Sequence, residues 1–252
     1  MDKDIHMSYL EFISDDEIVG LVKNVLDIGR SRMAKAEASF SKNVIDPFAA
    51  LVESSAFGVD HETWVSSETI RQCQKTLQNH IGDLHQKILG KAAGWTDLGV
   101  GSVVDLVCHD RKLIAEVKNK HNTVTGGKLA DQYYSMERLV TPKASQYKGY
   151  TSYFVNVIPK KPIRFDTTFE PSDKEKGIKC PKNELIRIID GASFYALVTG
   201  DEAALDKLYK ALPKVIEHIF QDHYGIKGYK VSDKEAFASY FTDAYGVTMT
   251  KV

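Results

Sequence analysis

Val103-Val104-Asp105-Leu106-Val107-Cys108-His109-Asp110-Arg111-Lys112-Leu113-Ile114-Ala115-Glu116-Val117-Lys118 is two short apolar, β-branched runs with a polar turn between them. That is the pattern of a β-hairpin. A two-residue turn at Asp110-Arg111 sets 109 opposite 112, 108 opposite 113 and, counting back, Asp105 opposite Glu116. Opposed residues of an antiparallel pair hold their Cβ atoms about 4.5–5.5 Å apart on one face. Side chains alternate along a strand, so Lys118 shares the face of Glu116. Leu106, Cys108, Leu113, Ala115 and Val117 fall on the other, apolar face.

Two carboxylates this close repel, and one pKa rises unless a cation sits between them. A hard divalent cation such as Mg²⁺ accepts carboxylate, backbone carbonyl and water oxygens, and the carbonyl of Val117 is placed to join Asp105 and Glu116 as a ligand. Such a cation acidifies a bound water and stabilises charge on a phosphate, which Lys118 could contact while orienting the attacking water. Asp105, Glu116 and Lys118 are therefore the candidate catalytic residues of a phosphodiester hydrolase. A surface hairpin with an incidental Glu–Lys pair would carry the same letters. The strand context, the working register and the basic surroundings favour the catalytic reading.

Working outward, apolar residues at helical spacing from Asp15 to Phe40 follow an acidic start at Ser14-Asp15-Asp16-Glu17, a plausible N-cap. A second helix is predicted from Ser67 to Leu89, with Gly82 a possible break. Gly99 to Cys108 and Lys112 to Lys118 read as the hairpin strands, followed by a helix over Gly127 to Leu139. Tyr150 to Ile158 and Ala192 to Val198 read as buried strands, and Lys160 to Pro181 as a surface excursion. Asp201 to Phe220 reads as a helix that Pro213 could kink or divide, and Lys234 to Tyr245 as a closing helix. The pattern predicts an α/β fold, a central mixed β-sheet flanked by helices.

The net charge is −1, but 15 Lys plus Arg stand against 7 Asp plus Glu between Arg71 and Arg164, a local +8 that leaves −9 elsewhere. A basic middle suits a protein that grips a phosphate backbone locally. No apolar run approaches membrane-spanning length, and the N-terminus lacks the apolar core of a signal peptide. Three cysteines without CxxC spacing fit a reduced, cytoplasmic chain with no zinc site. No G-x-G-x-x-G, P-loop or G-x-S-x-G occurs, so neither a nucleotide cofactor nor serine hydrolysis is supported. His85 and His109 lack a convincing nucleophile partner, and His109 reads as a turn residue.

The Asp105…Glu116-Val117-Lys118 arrangement resembles the PD-(D/E)xK nucleases, with Val104 where the usual proline stands. Beyond the core the chain is similar to type II restriction endonucleases that cut the interrupted palindrome GGNCC. The stretches carrying this are Asn43-Val44-Ile45-Asp46-Pro47-Phe48, Arg71 to Gly82, Leu84 to Gly90, Gly94-Trp95 and Glu116 to Thr123. The resemblance implies a bacterial enzyme with a restriction-endonuclease-like core, a helical N-terminal region to about residue 95, a catalytic core to about 200 and C-terminal helices. It further implies a Mg²⁺-dependent homodimer on double-stranded DNA, each subunit cutting one strand to leave a 5′-phosphate. Superfamily members often carry a Glu on the helix before the core. Here Gln86 matches, a weaker metal or water contact.

Guanine offers two acceptors in the major groove, which Arg or Lys meets best. Candidate DNA contacts are Asn119, Lys120, Asn122 and Thr123 after the motif strand, then Lys128 and Gln132, and Arg71, Gln74, Lys75, Gln78 and Asn79 on the earlier helix. Asn and Thr equally favour turns, and Lys solvated surface. Tyr133 and Tyr134 read as packing groups. Two alternatives share this fold: a structure-specific repair or recombination nuclease, and a catalytically silent DNA-binding domain.

Overall fold

The computed structural model describes residues 8–36, 40, 44–99 and 101–246. Helix α1 spans Asp15–Ala34 and starts at a capping box, Ser14 accepting from the backbone of Glu17 while the Glu17 carboxylate reaches back to Ser14. Helix α2 is Pro47–Phe57 and α3 is His61–Leu89, capped by Asp46 and Asp60. Gly82 does not break α3. Part of the predicted extension of the first helix toward Phe40, and Val100, lie outside the described residues.

The strands are β1 (Thr96–Asp97), β2 (Leu106–Cys108), β3 (Leu113–Lys120), β4 (Thr151–Ile158), β5 (Asp166–Thr168), β6 (Ser172–Asp173), β7 (Ile178–Lys179) and β8 (Ile186–Asp190). Six form one mixed sheet in the order β1-β2-β3-β4-β8-β5, while β6 and β7 pair separately. The pairs β3–β4 and β4–β8 are parallel, and the outer pairs antiparallel. Helix α4 (Leu129–Val140) makes the crossover from β3 to β4, entered through a 3-10 turn at Gly126–Lys128. Helices α5 (Gly191–Thr199), α6 (Ala204–His218) and α7 (Lys234–Tyr245) follow β8.

Both faces of the sheet are covered. Leu106, Ala115, Val117, Val155 and Ile189 pack with α1, α3, α5 and α6 on one side. Val107, Ile114, Phe154 and Ile186 pack with Ala130, Tyr133, Met136 and Val140 of α4 on the other. Burial on both faces explains why β4 reads as a nearly continuous apolar run.

Four sequence expectations need correction. Residues 99 and 101–105 form no strand but a turn and bends, and Gly99 and Gly101 there have φ of 73° and 90°, outside extended geometry. Ala192 to Val198 is helix, because Asp190 caps it at Ser193 N and Gly200, at φ 76°, ends it. The strand of that region is Ile186–Asp190. The 160–181 excursion is partly ordered into the sheet, since β5 pairs with β8. Finally, α6 passes through Pro213 undivided, with Leu208, Ala211 and Val215 buried across it, and continues into a π-helical turn at Ile219–His223.

Glu217 anchors the C-terminal segment. Buried on α6, it accepts from Lys230 Nζ and Val231 N, both at 3.1 Å, and pairs with Lys234 at the start of α7. Burial alone would raise its pKa, but Lys234, Lys230 and the Val231 N–H outweigh it and hold the carboxyl at about 2, below the usual 4.5. A depressed carboxyl pKa stabilises the fold above its unfolded value, and that contribution is lost as pH falls toward 2. Glu217→Gln should lower Tm by roughly 4 °C at pH 7, with the deficit shrinking below pH 4. Melts showing an equal deficit at pH 7 and pH 3 would contradict this linkage.

Candidate active site

The hairpin register is the one the alternation predicts: Cys108 pairs with Leu113, Val107 with Ile114 and Leu106 with Ala115. The loop is longer than the predicted turn. It takes four residues, His109 to Lys112, closed by Lys112 N on His109 O at 3.1 Å, with Lys112 at φ 52°. The register of the paired residues is unchanged and ends at Leu106 opposite Ala115. Asp105, just before β2, is not paired with Glu116, because its N–H bonds to the carbonyl of Ala115.

Asp105 lies one residue before β2 and its backbone is held from both sides. Its N–H donates to Ala115 O at 3.0 Å, and its carbonyl accepts from Leu98 N at 2.9 Å. Its carboxylate Oδ2 accepts from Val117 N at 2.7 Å, across the hairpin. Glu116 and Lys118, both partly buried, share one face of β3, and Lys118 Nζ donates to Glu116 Oε1 at 2.6 Å. All three charged groups thus meet at one end of a hairpin whose paired residues are buried.

Burial is the main reason the Asp105 carboxyl is pushed up to about 6. The charge of Glu116 adds to it and that of Asp97 contributes less, while Val117 N–H and Lys118 pull the other way. An anion made costly by burial and like charge is one a cation would relieve. Among the described residues no group of three or more His, Cys, Asp or Glu is placed to hold a metal ion. The side-chain donors are therefore two carboxylates, which suits a hard divalent cation completed by backbone carbonyl and water oxygens. By the chemistry of its donors the site fits such an ion.

Gln86 sits near the end of α3, where its Nε2 donates to Asp97 Oδ1 at 2.7 Å, an oxygen that also accepts from Gly99 N at 2.8 Å. Its amide is thus engaged with a third carboxylate beside the pair. The backbone of β1 comes so near Gly90 that an added Cβ there would lie 2.6 Å from Asp97 Cβ, so only glycine permits this approach.

Two polar neighbours of the site were not found from the sequence. Asp97 is a neighbour of Asp105 through β1–β2 pairing, in which Asp97 stands opposite Leu106. Asn156 is the register partner of Lys118 on β4, is only 5% exposed, and its Oδ1 has no hydrogen-bond partner among the described residues. The signal for Asn156 was a single amide in an otherwise apolar strand, since buried polar groups are rarely left unpaired.

The proposed DNA contacts divide into two groups. Asn119 packs with its Cβ near Gly82 of α3, while Lys120, Asn122 and Thr123 are exposed just beyond the site. Thr123 is partly committed to the turn, its Oγ1 accepting from Lys120 N at 3.2 Å. Lys128 is exposed at the start of α4 and Gln132 is half-buried. Arg71, Lys75 and Asn79 line a groove of about 780 Å³ farther along α3. Arg71 already pairs with Glu68 through two contacts of 2.5 and 2.6 Å.

The histidines behave as structural groups. His85 Nδ1 lies 2.9 Å from the buried Tyr195 hydroxyl, and burial holds the imidazole down at about 4. His109 is in the hairpin loop beside Tyr150. Tyr133 is fully buried and Tyr134 is bonded to Asp173, so both pack.

Comparison with known proteins agrees with this geometry. The Eco47II restriction endonuclease family matches residues 10–221. The chain is 52% identical over 240 residues to the type II restriction enzyme Eco47II of Escherichia coli, covering 95% of this chain and 100% of that one. It is 29% identical over 227 residues to the type II restriction enzyme Sau96I of Staphylococcus aureus, covering 87% and 84%. No helix among the described residues is long and apolar enough to cross a membrane. With the match spanning the hairpin and both flanking helical layers, the chain belongs to the Eco47II restriction endonuclease family and is a site-specific DNA endonuclease.

Proposed function

We propose that the enzyme is a Mg²⁺-dependent type II endonuclease that cuts both strands of duplex DNA at a short palindrome, GGNCC, as a homodimer. The observation that carries this reading is the convergence of Asp105, Glu116 and Lys118 on one end of a buried hairpin. Asp105, Glu116 and the Val117 carbonyl would hold the ion, and Gln86 would fix Asp97 beside them. When bound, Mg²⁺ supplies Lewis-acid stabilisation of charge at the scissile phosphodiester.

The chain's own groups do the rest. Lys118, which donates to Glu116 here, would present its ammonium to a phosphate oxygen and orient the attacking water. The water oxygen bonds to phosphorus as it gives up a proton to solvent, and the P–O3′ bond breaks with the departing O3′ taking a proton from solvent, leaving a 5′-phosphate and a 3′-hydroxyl. Asn119, Lys120, Asn122 and Thr123, directly after the catalytic strand, are placed to meet the bases nearest the cut. Lys128, Gln132, Arg71, Lys75 and Asn79 supply contacts farther along the duplex. A palindrome is most simply read by two copies related by a two-fold axis.

Digestion of a sequenced plasmid tests the reading. Discrete fragments whose ends map to GGNCC, formed with Mg²⁺ and absent with EDTA, are expected. A smear, or ends mapping to junctions or mismatches, favours a structure-reading nuclease, and intact plasmid across several divalent metals favours a silent binding domain.

The Asp105 carboxyl at about 6 also sets a pH dependence. A proton competes with the ion for a carboxylate, so affinity falls about tenfold per unit below the carboxyl's pKa. Calorimetric titration of the divalent ion should show affinity nearly flat above pH 7 and falling between pH 6 and 5. An affinity unchanged down to pH 5 would show that Asp105 has an ordinary carboxyl pKa or does not bind the ion.

A further inference from the structure

Helix α2 (Pro47–Phe57) is held by local signals yet covered by little. The Asp46 Oδ1 caps Phe48 N and Ala49 N, and Gly58 at φ 65° ends the helix, but none of its residues is buried. Phe48, Leu51, Val52 and Phe57 are 80, 68, 65 and 72% exposed, and Val44 just before the helix is fully exposed. An isolated 11-residue helix is marginal in water without tertiary packing. Phe48, Leu51 and Val52 share one face, with Val44 just before it, while Phe57 lies on the opposite side of the helix. The first four present roughly 500 Å² of apolar surface, within the range of the largest patch on a typical monomer.

The charge of the helix identifies what fits it. Its one ionisable side chain is Glu53, whose Oε2 accepts from Trp64 Nε1 at 3.1 Å. A face without Lys or Arg offers nothing to a DNA phosphate or to an anionic membrane surface. An apolar, nearly uncharged strip is, however, self-complementary, which is what a two-fold contact requires.

We propose that α2 is the surface through which a second copy of this chain docks, α2 against α2 across a two-fold axis. This rests on the palindrome reading for its choice of partner. Two such strips together remove roughly 1,000 Å² from water, about the least that a biological interface buries. The groove under α2 is shared with Arg71, Lys75 and Asn79 of α3, and α3 runs on to Gln86 beside the catalytic carboxylates. One 29-residue helix therefore joins the dimer contact to the active site.

Sedimentation equilibrium of the full chain tests this, with Phe48→Glu/Leu51→Glu and the milder Phe48→Ala/Leu51→Ala beside wild type. Wild type should sediment near twice the 28.2 kDa chain mass and the Glu pair near the single mass with unchanged circular dichroism. The Ala pair should dimerise at least tenfold more weakly, and it decides the matter if the Glu pair fails to fold. Ile163→Glu, an exposed apolar position away from α2, should leave the mass unchanged. A monomeric wild type, a dimeric Glu pair that folds, or an Ala pair that dimerises as tightly as wild type would overturn the proposal. Mass is read without DNA or metal, so a dimer that fails to cut at GGNCC would count against the function alone.

Discussion

Asp105→Asn should cut DNA about 10³-fold more slowly than wild type while binding duplex normally and melting at the same temperature or higher at pH 7.5. The asymmetry follows from the geometry. The Asn side-chain oxygen can still accept from Val117 N at the position of Oδ2, so the hairpin keeps its cross-strand bond. What is lost is the negative charge, which the fold makes costly. Asp105 has its pKa raised from 3.8 to about 6 by burial first and by Glu116 second. A carboxyl with a raised folded pKa penalises the folded state as pH rises through that range, and above it the full penalty applies. Removing the charge at pH 7.5 lifts the penalty while removing a proposed ligand for the ion. A residue retained for structure would behave oppositely, losing stability and activity together. Single-turnover cleavage, a gel-shift titration and a thermal melt on the same preparation separate the two cases.

Gly191→Ala should cost about 3 kcal/mol or more and lower Tm by roughly 6–12 °C. Gly191 is the first residue of α5, and an added Cβ there would lie 2.3 Å from the carbonyl oxygen of Val157 and 2.7 Å from its Cα. Those atoms are backbone of β4, so no rotamer change relieves the overlap. Either α5 lifts from the sheet or β4 shifts, and both Phe194 and Tyr195, fully buried on α5, move with it. β4 carries Asn156 beside Lys118, so the displacement reaches the site. A variant melting within 2 °C of wild type would show that the α5–β4 contact has slack that the packing does not suggest.

The sequence disclosed the hairpin because two short apolar runs, 106–108 and 113–117, flank the polar stretch 109–112. A four-residue loop in place of a two-residue turn did not disturb it, because both connect the same paired residues. The apolar stretch Ala192 to Val198 carries no decisive period, and a buried strand and a buried helix look alike over seven residues. The deciding facts were at its ends, the Asp190 cap and Gly200. Helix α2 went unseen because it has no apolar-polar period: its apolar residues face outward as well as inward. The partners Asp97 and Asn156 belong to tertiary pairing, β1 on β2 and β4 on β3, which local pattern does not encode.

The central claim, that the Asp105–Glu116 end of the hairpin is where the divalent ion acts, can be read directly from the polypeptide. With Fe²⁺ substituted for Mg²⁺ and ascorbate and peroxide added, radicals formed at the bound ion cleave the protein chain beside it. The account predicts cleavage clustered around residues 105 and 116–118, abolished by excess Mg²⁺ and by Asp105→Asn. Cleavage clustered elsewhere, unaffected by Asp105→Asn, would contradict it.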